Sequence, residues 1–590
     1  MKFVALVSGG KDSCFNILHC LNAGHELVAM ANLHPKADRP DEIDSWMFQT
    51  VGHQAVELLA QCAEVPLFRS EISENEDAVV DELAALFARI RSEVDFEAVS
   101  VGAIASTYQQ LRVDRACARL NLRALSYLWQ RDQRDLLKEI NRSGMDVRVI
   151  KVAGQSLGQQ HLGRTLADIE PDLLEKNEAF GLHPCGEGGE YETMVFDTSF
   201  FPRYRMAMKN PEIVHHSTDD VYYLNFSVTK EDKEPTSGRI DVPPLLEPRF
   251  KQLLEVTPAA AQPASFDKGL PTTAELGPKV LSATFQGSFE SCFAELDKFF
   301  MQKPDGLRLA FHVVVLLKDM TRFGELNALY SSVFSKAVTS LSDGVAPSRA
   351  CVQASIPYDA EVTVFYTSEI DRSSKGIHVQ GLSYWAPASI GPYSQCRLVN
   401  GISYVAGQIG LIPQSLNLEA DREIQALLAL QHAVRVLNVI HEQGSNWTPR
   451  LAIAWITDAA NQSLVQSIWE RYCTSIPLIA VVVEGLPRGA QFEWSIQGCD
   501  SRYFAWYIPE NDDEDDLYSP KPEVLRRNAS GYCHRAGFQT LDVGAKPLNS
   551  FQVLFSCSDQ ERPLPAGANK TPTQKIFFDG VEVNELYIDM

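Results

Sequence analysis

The stretch FVALVSGGKDSCFNILHCLNAG (3–24) constrains this chain more than any other. Its short apolar run, 3–7, has the length and composition of a buried strand. From Asp12 to Ala23 apolar residues recur at helical spacing (Cys14, Ile17, Leu18, Leu21), and Gly24 is a natural stop. Ser8 to Ser13 is therefore a strand-to-helix turn. Such a turn aims free backbone N–H groups and the positive end of a helix at one point, which suits an anion.

The pattern continues to about residue 230. Strands are expected at 3–7, 26–32, 65–68, 98–104 and 147–153, with helices at 46–62, 77–94 and 108–120 among them. Alternation of this kind predicts βαβ units and a parallel sheet, with ligands at the carboxyl ends of the strands. Residues 231–275 are rich in Pro, Ala, Ser and charge and read as a linker with a few docked residues. Residues 276–370 and 381–500 then share one order of events: a long amphipathic helix (287–301, 420–443), an apolar strand, a helix and a strand pair. They are expected to be two copies of one α+β unit. The tail, 501–590, carries the acidic run ENDDEDD (510–516) and Pro-rich pieces, and is expected to be partly disordered. Its last piece, KIFFDGVEVNELYIDM, alternates like a strand.

Composition narrows the class. A chain of 590 residues is long enough for about three to five domains. No run approaches the ~18 apolar residues of a membrane span, and MKFVALVSGG is too short for a secretory signal. The twelve cysteines include no C-x-x-C pair and no zinc-type spacing, which fits a reducing, cytoplasmic setting. A net charge of −23 disfavours a nucleic-acid partner.

The turn lacks the first glycine of G-x-x-x-x-G-K-[ST] and instead reads S-G-G-x-D-S. It resembles the pyrophosphate loop of the PP-loop ATP pyrophosphatases, which cleave ATP between the α and β phosphates. Those enzymes adenylate a substrate oxygen and let a nitrogen or sulfur nucleophile displace AMP. The residue types suit that chemistry. Gly9 and Gly10 let backbone approach phosphate closely, and Ser8 and Ser13 add hydroxyl donors. Lys11 supplies charge against the leaving pyrophosphate, and Asp12 is a candidate Mg2+ ligand or loop brace.

Three further stretches, DEIDSWMFQTVGH (41–53), VGAIASTYQQLRVDRACARLNLRALSYLWQRDQ (101–133) and HPCGEGGEYETMVFD (183–197), resemble the diphthine–ammonia ligase family, a PP-loop branch. The likeness covers residues 1–230. It implies amidation of the diphthine form of elongation factor 2 with ammonium and ATP, through an acyl adenylate, with release of AMP and pyrophosphate. It also implies that the loop of Gly186, Glu187, Gly188, Gly189, Glu190, Tyr191, Glu192 and Thr193 is part of the active site. Crowded carboxylates there can hold Mg2+, or bind ammonium and take its proton. Gly102, Ser106, Tyr108, Gln109 and Arg112 follow a strand end, and Arg112 is expected to steady phosphate or the substrate carboxylate. His34, His53 and His183 are left outside the expected catalytic set, since a lone histidine is more often structural. No glutaminase-like domain is evident, so ammonia is expected to come from solution, and no cysteine pair is arranged to carry sulfur.

The C-terminal copies resemble the RidA (YjgF) imine deaminases. APASIGPYSQCRLVNGISYVAGQIGLIP (386–413) matches the family's opening. VLLKDMTRFGELNALYSSVF (315–334) with APSRACVQASIPYDAEV matches its later half. The implied fold is a trimeric barrel-like α+β unit with clefts between subunits, so homo-oligomers are expected. The family's pattern wants an arginine for a substrate carboxylate and a glutamate to handle water. The first copy keeps Arg349 but has Thr363 or Val364 in place of the acid. The second keeps Tyr393, Gln408 and Glu493 but has Ile479 in place of the arginine. Either the copies are a scaffold, or Arg349 faces Tyr393 and Glu493 across a composite cleft. The expected architecture is thus an α/β PP-loop domain followed by two α+β RidA-like domains. Alternatives to the ligase are a RidA-type deaminase or metabolite-binding module, and a PP-loop ligase or thiolase acting on another substrate such as tRNA.

Overall fold

The computed structural model describes residues 1–34, 55–71, 78–154, 157–215, 220–255, 280–340, 346–371, 373–441, 447–473 and 478–500, and the backbone of five short strands between 552 and 589. The motif 41–53, with His53, and the acidic run 510–516 lie outside the described residues. The chain forms two units. One comprises 1–243 with 380–385, and the other comprises the remainder. Among the described residues, no helix is long and apolar enough to cross a membrane.

The N-terminal unit opens with β1 (Lys2–Leu6), α1 (Lys11–Asn22), β2 (Glu26–His34), α2 (Val56–Ala63), β3 (Leu67–Glu71), α3 (Val79–Arg91), β4 (Ala98–Ser100), α4 (Thr107–Arg119) and β5 (Arg123–Leu125). Its five strands are parallel in the order β3-β2-β1-β4-β5. The chain winds to one side of β1 and then to the other, so the order reverses between β1 and β4. A crevice opens at the carboxyl ends of strands at such a reversal. The SGGKDS turn sits there.

Next come α5 (Gln133–Arg142), β6 (Asp146–Ala153), α6 (Leu166–Phe180), β7 (Tyr191–Asp197), β8 (Tyr204–His215) and β9 (Val221–Asp232). The strand expected at 147–153 does not join the parallel sheet. As β6 it lies in a separate antiparallel sheet, ordered β7-β6-β9-β8. Apolar spacing marks a strand but not its partner, and β6 follows a helix whether it crosses back or not. Local caps set the helix starts. Ser106 Oγ accepts from Gln109 N–H at 3.3 Å, and Asp132 caps α5 through the N–H groups of Arg134 and Asp135.

The second unit begins with α7 (Pro248–Glu255), inside the expected linker. Glu247 N–H donates to Gln431, and the Glu247 carboxylate pairs with Arg435 at 2.6 Å. Two repeats follow. The first is β10 (Val280–Gly287), α8 (Phe289–Met301), β11 (Ala310–Leu317), α9 (Phe323–Ser340), β12 (Ser348–Gln353) and β13 (Ala360–Thr367), with sheet order β10-β13-β11-β12. After β14 (Lys375–Ile377) and β15 (Cys396–Val399) the second repeat runs β16 (Ile402–Val405), β17 (Gln408–Ile409), α10 (Arg422–Ile440), β18 (Trp447–Ile456), α11 (Gln462–Tyr472), β19 (Ile479–Val482) and β20 (Phe492–Asp500). Its order β16-β20-β18-β19, with the last pair parallel, reproduces the first. The tail adds β21 (Gln552–Ser556), β22 (Ala568–Pro572), β23 (Lys575–Phe578), β24 (Val581–Val583) and β25 (Glu585–Asp589). The final alternating piece holds strands, and β23 extends the second repeat's sheet on β19.

Buried Asn16 ties α1 to the parallel sheet. Its Nδ2 donates to Ser100 Oγ and to the Leu125 carbonyl, both at 2.8 Å, and its Oδ1 accepts from Tyr127 N–H at 2.9 Å. Asn16→Ala orphans all three partners, so it should lower the unfolding free energy of this unit by about 2–4 kcal/mol in urea titrations.

Candidate active site

Lys11 opens α1 and is 4% exposed. Its ammonium donates to Asp12 Oδ2 at 2.8 Å and to the Cys185 carbonyl at 2.5 Å, and stands 5.3 Å from the centre of the Tyr191 ring. Burial is the largest influence and disfavours its charged form, but the charge and hydrogen bond of Asp12, with Cys185 and Glu187 nearby, together leave the lysine pKa raised. The Lys11 backbone N–H donates to Thr193 Oγ1 at 3.1 Å, and Val195 N–H donates to the Gly9 carbonyl at 3.0 Å. Strand β7 therefore fixes the turn from the side. Ser8 Oγ accepts from Gly10 N–H, and Ser13 Oγ donates to the Gly10 carbonyl. At Gly102 a Cβ would lie 2.6 Å from the Ser13 nitrogen, so glycine there admits the start of α1 against the end of β4.

The three glutamates of GEGGEYET occupy different environments. Glu190 is buried and folded back on its own loop: Oε1 accepts from His183 N–H and Oε2 from Gly188 N–H, both at 2.9 Å. Glu192 pairs with Lys151 at 3.4 Å. Glu187 is half-buried, and its Oε2 accepts from Ala105 N–H at 3.0 Å, across the crevice from the loop that carries it. Burial first, then the charge of Asp12, raises the Glu187 pKa against the pull of Ala105 N–H, Lys11 and His183. Positive φ at Gly186 and Gly189 shapes this loop. The Tyr191 hydroxyl donates to the Pro184 carbonyl at 2.6 Å. Lys11, Asp12 and Glu187 are thus brought together, with Gly102, Tyr191 and Thr193 as their frame. Tyr108 and Arg112 lie on α4, and Arg112 is half-buried. Gln133 went unnoticed in the sequence. Its Oε1 accepts from Cys185 N–H at 3.2 Å, and its carbonyl accepts from Cys185 Sγ at 3.3 Å.

The profile of the diphthamide synthase N-terminal domain matches residues 1–124, and that of the diphthamide synthase C-terminal domain matches 132–229. A Schizosaccharomyces pombe protein named diphthine–ammonia ligase is 37% identical over 546 residues, 85% of this chain and 88% of that protein. The chain belongs to the diphthine–ammonia ligase family. A Homo sapiens diphthine–ammonia ligase is 43% identical over 251 residues, which is 94% of that protein but 40% of this chain. Family members therefore occur with and without a counterpart of the second unit. The family described as endoribonuclease L-PSP matches residues 384–497. A Capra hircus 2-iminobutanoate/2-iminopropanoate deaminase is 32% identical over 111 residues, 18% of this chain and 80% of that protein.

The second unit of this diphthine–ammonia ligase family member brings Arg349 of one repeat to Tyr393 and Glu493 of the other. Arg349 is 2% exposed, with its guanidinium 4.7 Å from the ring centres of Tyr330 and Tyr393 and 5.4 Å from that of Phe323. Its Nη2 donates to Asn327 Oδ1 at 2.8 Å, and its carbonyl accepts from Gly407 N–H. Gln408 is buried beside them, its Nε2 donating to the Ala406 carbonyl. Among the described residues, Arg349 Nη1 and Glu493 Oε1 are buried without a hydrogen-bond partner. In the first repeat Glu361 lies opposite Leu316, and in the second Glu493 lies opposite Trp455. Glu361 is satisfied by Tyr358 and Gln286, each at 2.7 Å.

Burial raises the Glu493 pKa from 4.5 to about 8, against Arg349 and Cys351 N–H. The folded state then holds a proton that the unfolded chain releases. The resulting contribution is full below pH 4.5 and is lost as pH rises to about 8. Urea midpoints of the parent and of Glu493→Gln should converge or favour the parent near pH 5, and should increasingly favour the variant toward about pH 8.

Proposed function

We propose that this chain is a carbon–nitrogen ligase that amidates the diphthine carboxylate of elongation factor 2 with ammonium, using ATP as co-substrate. The observation that carries this reading is the meeting of Lys11, Asp12 and Glu187 at the reversal between β1 and β4. The opening turn of α1 offers N–H groups and the positive helix end to a phosphate chain. Lys11 adds a fixed charge where pyrophosphate gains charge on leaving. Because Asp12 and the Cys185 carbonyl hold this ammonium before ATP arrives, little reorganisation is needed at the moment of reaction.

Asp12 Oδ1 is buried with no partner among the described residues, which fits a Mg2+ ligand. No group of three or more His, Cys, Asp or Glu side chains that could hold a metal is found there, so Asp12 would hold Mg2+ together with phosphate oxygens. The ion would neutralise charge on the phosphates. Glu187 has the properties of a base. Its raised pKa suits removal of a proton from ammonium, which must become ammonia before it attacks an activated carboxyl. Lys11→Ala and Glu187→Ala should each lower AMP formation about 10²-fold or more, with AMP release depending on both diphthine-form elongation factor 2 and ammonium. Formation of ADP in place of AMP would overturn the reading.

A second site is favoured by the unpartnered Arg349 Nη1 and Glu493 Oε1. We propose that these two groups, with Tyr393 and Gln408, bind a small carboxylate in a pocket that neither repeat completes alone. A charge-assisted bond from buried arginine contributes roughly 1.5–3 kcal/mol. Calorimetric titration with 2-oxobutanoate should therefore show binding that weakens about 10- to 100-fold in Arg349→Met.

A further inference from the structure

Residues 380–385 lie between the two repeats in sequence but belong to the N-terminal unit. They run parallel to the end of β5, with Leu125 opposite Leu382. Leu382 N–H donates to the Ala124 carbonyl at 2.9 Å, and Ser126 N–H donates to the Leu382 carbonyl at 2.8 Å. A Cβ at Gly381 would stand 3.1 Å from the Ala124 oxygen, so the segment lies close against β5. Tyr384 then enters a group of rings, with centres 5.0 Å from Tyr127 and 5.4 Å from His19, and lies 6.0 Å from the Arg131 guanidinium. Its hydroxyl meets His19 Nδ1 at 3.2 Å. Burial, helped by Arg131, lowers the His19 pKa to about 3, so the imidazole is a neutral strut.

Two routes lead from this segment to Lys11. One is α1 itself, which carries Lys11 at its start and His19 two turns on. The other is the loop from Ser126 to Gln133. Tyr127 N–H donates to Asn16 Oδ1, Gln130 N–H donates to the Ile104 carbonyl at 2.7 Å, and Gln133 grips Cys185 from two sides. The Cys185 carbonyl accepts from Lys11 Nζ. The first route is one helix; the second runs along the Ser126–Gln133 loop, pinned by these bonds, and then through the hydrogen bonds of Cys185.

We infer that residues 380–385 are a strap that positions the lysine of the ATP site, with Tyr384 as its positioning residue. The inference rests on the ligase reading for its kinetic consequence but not for its structural one. A displacement of about 1 Å at a reacting centre costs on the order of 10²-fold in rate, so a strap remote from the substrate controls turnover more than affinity.

The test uses the full chain with Tyr384→Ala, Tyr384→Phe and Gly381→Val. Two quantities are measured: AMP release, and amide hydrogen exchange without substrates. In Tyr384→Ala and Gly381→Val, kcat should fall about tenfold or more with the KM for ATP within about threefold. Tyr384→Phe keeps the ring contacts and should keep more than half of kcat. In the two disruptive variants, exchange should quicken at Ser126, Tyr127, Gln130 and Cys185 while β1 keeps its protection. An unchanged kcat in Tyr384→Ala, or a rise in KM at constant kcat, overturns the strap. Loss of β1 protection in parallel with kcat also overturns it, because the segment then serves only folding. If the parent forms no AMP, the ligase reading fails. The exchange at Gln130 and Cys185 then decides the strap on its own.

Discussion

A buried ammonium organises the N-terminal unit. Lys11 carries charge at a site where burial works against it, and an ionised group there is stable only if its donors are satisfied. Its satisfaction comes from Asp12, one residue along, and from the Cys185 carbonyl, far away in sequence. The second bond obliges the 183–190 loop to sit over the start of α1. That loop holds its shape because Glu190 occupies both of its carboxylate oxygens with loop N–H groups. Glu187 is then left to face Ala105 and the crevice. One electrostatic requirement thus draws two sheets together and sorts three similar carboxylates into distinct tasks.

The same logic, with opposite emphasis, applies in the second unit. Arg349 is as buried as Lys11, but a single side-chain oxygen, Asn327 Oδ1, and three aromatic faces surround it. Glu493 lies near enough to feel its charge, yet burial wins and its pKa rises. A pair that fully neutralised itself would show the reverse, a lowered carboxyl pKa. Leaving Nη1 and Oε1 buried without hydrogen-bond partners carries a cost that packing alone does not require. The polar pair is more economically explained by something it receives.

What the sequence revealed was local. The SGGKDS turn is legible because strand, turn and helix follow one another within a few residues. The repeat is legible because its order of elements recurs, and the sheet orders of the two copies agree strand for strand. What escaped was pairing. The run 147–153 has the pattern of any buried strand, and nothing in it names an antiparallel partner. Strand β5 has only three residues, too few for a period to appear. Glu187 and Glu190 are indistinguishable as letters, and only the direction of their carboxylates separates them. Gln133 and Cys185 meet through one side chain and one backbone group in each of two bonds, a long-range pairing that neither residue's place in the sequence announces.

The segment 380–385 is the extreme case of the same limit. Six residues more than 250 positions from β5 leave no periodic trace, yet they close an edge of the ligase sheet with two backbone hydrogen bonds and one tyrosine. A sheet edge left open presents unpaired N–H and C=O groups. The Homo sapiens relative covers 40% of this chain. In this chain the covering strand belongs to the stretch between the two repeats. The N-terminal unit thus draws its last segment, 380–385, from chain that follows the first repeat in sequence.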